Sequence, residues 1–128
     1  MAELTLPKIE KELTAFFGTA LDLTLDQTIF RGFLPGQVVG AIGVIAESCD
    51  TGNVRAGIAA FRVQLLGSWR ERDQALSMAQ RLDSLLPLYN NRYWLVKEGE
   101  TAVYRAGSIG QEVWEVSCNL RVSRRVDD

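Results

Sequence analysis

The spacing of apolar residues at the start of the chain predicts an amphipathic helix. Thr5 is a suitable N-cap, Pro7 fits the first turn, and the regular helix is expected to end between Gly18 and Leu21. Apolar side chains recur here every three or four positions, as the buried stripe of a helix requires. This stripe consists of Leu6, Ile9, Leu13, Phe16 and Ala20.

A second helix is predicted in the middle of the chain. Ser68 and Glu71 have the spacing of a capping box, Asp73 is an alternative cap, and Pro87 should end the helix. The expected apolar stripe consists of Leu76, Ala79, Leu82 and Leu86. Both helices therefore need one apolar surface to pack against.

Alternation of apolar and polar residues predicts strands elsewhere. The strongest pattern runs through residues 113–123, and residues 61–65 alternate in the same way. Two shorter strands are expected at residues 93–97 and 101–104. The order is then helix, three strands, helix and two or three strands, which favours antiparallel pairing. We expect one α+β domain over residues 1–128, a two-layer sandwich with both helices on one face of the sheet.

A β-hairpin is predicted before the clearest strands. Residues 28–33 and 37–47 are β-prone, and the turn pair Pro35 and Gly36 lies between them. Gly40 and Gly43 interrupt the second segment, and glycines inside a strand mark a bulge or a close backbone approach. The hairpin is therefore expected to project as an arm. Its candidate contact residues are Phe33, Pro35, Gly36, Val38, Gly40 and Gly43.

The sequence offers no recognisable catalytic set, metal site or cofactor motif. It contains no histidine, and Cys49 and Cys118 lack the close partners of a zinc site, so reduced thiols are expected. The spacing does not hold any acid–base pair together, and solvated loop charges are the favoured interpretation. The pairs considered are Asp22 with Asp26, Glu47 with Asp50, and Tyr104 with Arg105. We expect a protein that is not an enzyme.

Charge and hydropathy restrict the classes of partner that the protein can bind. The formal net charge is −2, so no long-range field attracts nucleic acid, and no apolar run is long enough to span a bilayer. The aromatic residues are not interleaved with a basic run, which favours core and interface positions over base stacking. They are Trp69, Trp94, Trp114, Tyr89, Tyr93 and Tyr104.

One stretch and the order of elements resemble a known family. The strand-to-helix segment over residues 61–86, with an N-terminal helix, a glycine-containing β-arm and a closing strand, resembles tail terminator and minor capsid proteins of long-tailed bacteriophages. This resemblance implies a structural protein of the head–tail junction of a phage or prophage. Copies would form a ring, by resemblance a hexamer, that caps the tail tube and meets the head connector.

The resemblance also implies a location and partners. The protein would be a virion component assembled in the host cytoplasm, with the tail tube protein and head–tail connector proteins as partners. Residues 27–47 would form the arm that reaches the adjacent subunit, while no residue is assigned to the tail or connector contacts. Two alternatives remain open at this point: a small non-catalytic adaptor or ligand-binding module of a bacterial host, and an enzyme that uses carboxylates or Tyr104 with Arg105.

Overall fold

The protein folds into one mostly antiparallel sheet with two helices, an α+β architecture. A computed structural model describes residues 5–36, 38–50, 57–89, 91–107 and 112–125. The elements in chain order are α1 (Leu6–Ala20), β1 (Ile29–Arg31), β2 (Ala41–Asp50), β3 (Ile58–Trp69), α2 (Arg72–Leu85), β4 (Leu88–Tyr89), β5 (Tyr93–Lys97), β6 (Ala102–Ala106) and β7 (Val113–Arg125).

The long strand β7 organises the sheet. It pairs with β3 on one side, and on the other side with β5 near its C-terminal end and with β6 near its N-terminal end. The sheet order is β1-β2-β3-β7-β5-β4, so β1 and β4 are its two terminal strands. Among the named strands of the described residues, β1 and β2 form the one parallel pair. The closing strand expected at residues 113–123 is confirmed and extends to Arg125.

Both helices lie on the same face of the sheet, as predicted. Alternate side chains of β3 and β7 are buried, among them Phe61, Val63 and Val122, and they join the buried side chains of both helices in one apolar cluster. The odd positions of β3 and the even positions of β7 face the helices, because the register pairs Phe61 with Val122. The remaining positions point to the opposite face, on which neither helix lies.

The start of α1 is as expected, but its buried stripe is not. The N–H of Lys8 donates to the Thr5 hydroxyl at 3.3 Å, which confirms the N-cap. Phe17 is fully buried, whereas Phe16 is only partly buried and Ala20 is exposed. The expected stripe was wrong toward the C-terminal end, because the buried face continues through Leu13, Thr14 and Phe17 to Leu21.

The cap of α2 differs from both sequence candidates. Ser68 is buried within β3, and Asp73 lies inside the first helical turn. Glu71 is the N-cap, and its N–H donates to the Gln74 side chain at 3.4 Å. Pairing of β3 with β7 continues as far as Trp69, which delays the start of the helix.

Candidate interaction surfaces

The segment predicted as a hairpin arm forms a different structure. β1 runs parallel to β2, with Ile29 opposite Ile42, so residues 28–33 and 37–47 do not pair as a hairpin. The antiparallel partner of β2 is β3. A parallel pair cannot be closed by a two-residue turn, and the chain returns through a longer connection. The predicted hairpin was wrong because strand propensity and a turn pair do not distinguish the two pairings.

The connection between β1 and β2 packs against the sheet at Gly43. A Cβ atom on Gly43 would lie 2.6 Å from the carbonyl oxygen of Phe33 and 3.0 Å from the nitrogen of Leu34. The expectation of a close backbone approach at this glycine is thus confirmed. The N–H of Gly40 also donates to the Ser68 carbonyl at 2.6 Å. Both ends of the connection are therefore attached to the sheet.

The other candidate arm residues differ in exposure. Phe33 is 56% exposed, with its ring 6.0 Å from that of Phe30. Gly36 is exposed, and Pro35 and Val38 are half-buried, with the N–H of Val38 donating to the Pro35 carbonyl. An intersubunit contact by these residues stays a prediction.

The free edge of β1 is largely covered by the chain itself. The Ile29 N–H donates to the Thr24 carbonyl at 3.2 Å, and the Ile29 carbonyl accepts from the N–H of Asp26 at 2.8 Å. Beyond the end of β1, a Glu10 carboxylate oxygen accepts the Ala46 N–H of β2 at 2.8 Å. The backbone groups of Ile29 and the Ala46 N–H are therefore satisfied within the chain and are not available to another strand.

A cleft of about 850 Å³ lies between α1 and this covered edge of the sheet. Its apolar lining includes Leu23, Leu25 and Ile29, and Leu25 is 58% exposed. Four charged side chains also line it, and none of them makes an ion pair or hydrogen bond with another described residue. These are Lys11, Asp22, Asp26 and Arg31.

Asp22 and Asp26 both have left-handed backbone conformations, with φ of 57° and 63°. Such conformations are uncommon for residues other than glycine and concentrate at turns and functional sites. The structure therefore brings together on one cleft two carboxylates that sequence spacing did not connect.

The opposite end of the sheet carries exposed aromatic side chains. Tyr89 of β4 and Trp94 of β5 are cross-strand neighbours and are 77% and 54% exposed. Their rings meet edge to face with centroids 5.5 Å apart. Val96, two residues along β5, is 40% exposed on the same face. We call Tyr89, Trp94 and Val96 the aromatic edge.

The aromatic edge makes β5 apolar on both faces. Tyr93 and Leu95 are buried beneath the helices, while Trp94 and Val96 point away from them. Sequence reasoning identified the strand but did not separate its two faces. The signal was present, because four consecutive apolar residues in a strand with one covered face leave two of them without a partner.

A buried charged cluster ties α1 to the sheet. Glu12 of α1 accepts hydrogen bonds from Arg124 of β7, at 3.0 Å from Nη2 to each carboxylate oxygen, and from the Tyr93 hydroxyl. The Arg124 guanidinium also lies 5.6 Å from the centre of the Tyr93 ring. Burial alone would raise the pKa of Glu12, but the bonds from Tyr93 and Arg124 outweigh it and lower that pKa. The cluster stabilises the helix–sheet interface.

We expect the Tyr93 phenol to titrate near pH 12. Burial, followed by the hydrogen bond to Glu12, raises the pKa of Tyr93 from 10.0 to about 12. Because the folded pKa is the higher one, this group's contribution to stability is complete below pH 10 and is lost as the pH rises toward 12. Ultraviolet titration should show a transition near pH 12 that is absent from Tyr93→Phe and retained in Tyr89→Phe. Loss of a transition near pH 10 in Tyr93→Phe would contradict this assignment.

The remaining candidate acid–base residues are dispersed. Tyr104 is exposed on β6, where burial and neighbouring Glu115 raise its pKa, and Arg105 forms an ion pair with Glu112 at 2.9 Å. Glu47 lies exposed at the irregularity of β2. Cys49 and Cys118 lie on β2 and β7 and are not joined by a disulfide bond, and burial raises the pKa of Cys118.

Within the described ranges, no three acidic, cysteine or histidine side chains form a group that could hold a metal ion. Neither helix of the described structure is both long and apolar enough to cross a membrane. No protein-family model matches the chain, and no curated protein sequence matches it either.

Proposed function

We propose that this chain is a structural subunit that acts by self-association, a component of a phage or prophage head–tail junction. The observation that carries the proposal is the two-sided apolar character of β5. Trp94 and Val96 are exposed on the face without helices, and Tyr89 extends the patch. Aromatic side chains exposed together are typical of protein interfaces, where they contribute much of the binding free energy.

The likeness to tail terminators gives the proposal its specific form. Copies would associate into a ring, by resemblance of six, that caps the tail tube and joins it to the head connector. The tail tube protein and the connector are its proposed partners, and the virion assembled in the host cytoplasm is its proposed location. This role depends on the shape of surfaces and assigns no catalytic residue, metal or cofactor.

We expect the purified protein to form a closed oligomer as its concentration rises. Analytical ultracentrifugation should give a mass that is a whole multiple of the monomer and reaches a plateau, because a ring stops growing when it closes. Negative-stain electron microscopy of the same sample should show rings of uniform diameter. A monomer at every concentration, both alone and when mixed with the tail tube protein, would refute the proposal.

A second candidate is a small non-catalytic adaptor or ligand-binding module of a bacterial host. The cleft beside α1 favours it, since 850 Å³ lies within the range of roughly 300–1,000 Å³ that ligand pockets occupy. The two candidate functions predict different neighbouring genes and different oligomer masses. Coding regions for a major tail protein and a tape-measure protein beside this one would favour the junction subunit.

A further inference from the structure

The cleft and the aromatic edge lie at opposite ends of the molecule. The cleft borders β1, and the aromatic edge is formed by β4 and β5, at the other end of the sheet order. The cleft is on the helix side of the sheet, whereas Tyr89 and Trp94 project from the other face. A second copy in the same orientation can therefore bring its aromatic edge to the cleft of the first copy. This is the head-to-tail relation of a heterologous interface.

The two surfaces match in size and apolar character. The cleft has a volume of about 850 Å³, so it is large enough to receive the paired rings of Tyr89 and Trp94. Half-buried Leu23 and exposed Leu25 provide an accessible apolar lining for them. Burying an aromatic side chain removes roughly 150–250 Å² from water, so two rings would supply the buried centre of an interface.

The cations of the cleft also complement the aromatic rings. Lys11 and Arg31 line the cleft without an ion-pair partner among the residues described, and cations of this kind bind favourably over Trp and Tyr rings.

We propose that the aromatic edge of one copy of this chain occupies the cleft of the next copy, with Trp94 and Tyr89 packed against Leu23 and Leu25. The inference rests on the proposed function, because it names the two surfaces that self-association would use. Each subunit then offers one aromatic edge and one cleft. Repetition of the same contact closes a ring or continues as a filament, according to the angle between neighbours.

Two variants test the two sides of this contact separately. Trp94→Ser removes the central ring, and Ala15→Arg fills the cleft from the exposed side of α1, where arginine is a good helix former. We expect each to weaken self-association roughly 30-fold or more, the size of effect typical of a hot-spot aromatic. The matched controls are Tyr104→Ser, on an exposed tyrosine, and Ala20→Arg, on an exposed alanine of the same helix. Both controls should assemble like the wild type.

Mixing the two variants provides the decisive measurement. Trp94→Ser retains an intact cleft, and Ala15→Arg retains an intact aromatic edge, so an equimolar mixture should form a 1:1 dimer that cannot grow further. Each variant alone should remain monomeric at the same concentration. Circular dichroism and thermal melting establish that each variant is folded. If Trp94→Ser is not folded, Trp94→Lys replaces it, and if Ala15→Arg is not folded, Ala15→Gln replaces it.

The outcomes separate the inference from the proposed function. If the wild type forms rings and both variants form them equally well, the proposed contact is wrong. Self-association is then retained as the function, and the cleft does not bind the aromatic edge. Absence of the 1:1 dimer in the mixture, with both variants folded and monomeric, also overturns the contact. A wild type that stays monomeric under all conditions refutes the proposed function and this inference together.

Discussion

Replacement of Glu12 by alanine is expected to lower the free energy of unfolding by about 3 kcal/mol, since removing one partner of a buried ion pair typically costs roughly 3–5 kcal/mol. The side chain of Arg124 is only 4% exposed, so its charge would remain buried without a counterion. Glu12 itself is 22% exposed, which places the expected cost at the lower end of that range. Chemical denaturation of wild type and variant measures the difference.

The same contact predicts a dependence on pH. The pKa of Glu12 is lower in the folded protein than its ordinary value of 4.5. Its contribution to stability is therefore present above that value and is lost as the pH falls through the lower, folded pKa. Glu100→Ala is the matched control, because Glu100 is exposed on a loop. If Glu12→Ala costs no more than Glu100→Ala at neutral pH, the cluster does not stabilise the fold.

Substitution of Gly43 by alanine is expected to cost about 2–3 kcal/mol, near the upper end of the range for overpacking. The new methyl group would lie 2.6 Å from the Phe33 carbonyl oxygen and 2.7 Å from its carbonyl carbon. These are backbone atoms, so relief requires the connection between β1 and β2 to move away from the sheet. Thermal and denaturant unfolding provide the measurement.

Gly36→Ala is the matched control for this substitution. Gly36 belongs to the same connection, and no atom lies within 4 Å of the position that its Cβ would take. The free energy of unfolding of Gly36→Ala should stay within about 0.5 kcal/mol of the wild-type value, as for most substitutions at exposed positions. Equal stability of the two glycine variants would show that the connection is not held against β2.

The elements with long periodic patterns could be predicted from the sequence. The alternation in β7 spans enough residues to define both the strand and its buried face, with Val116, Cys118, Leu120 and Val122 all buried. The N-cap of α1 could also be predicted, because Thr5 and Pro7 act within a single turn. Such signals depend only on residues that are close in sequence, so they can be recognised without the tertiary structure.

The pairing of the strands and the candidate interaction surfaces could not be predicted in the same way. The parallel pairing of β1 with β2 depends on contacts across the sheet and on the path of the connection over Gly43. The cleft combines residues of α1 with Asp22, Asp26 and β1, and no periodicity relates these positions. Trp94 and Tyr93 are adjacent in the chain, yet one is exposed and the other is buried under α1.

Local chemistry in the chain was sufficient for the two helices, the α+β class and the long strands, because periodicity and capping act over a few residues. The tertiary fold alone separated β5 into a covered and an exposed face and placed the cleft and the aromatic edge at opposite ends of the sheet. The physical reason is that burial depends on which elements cover a side chain, and those elements lie far away in the sequence.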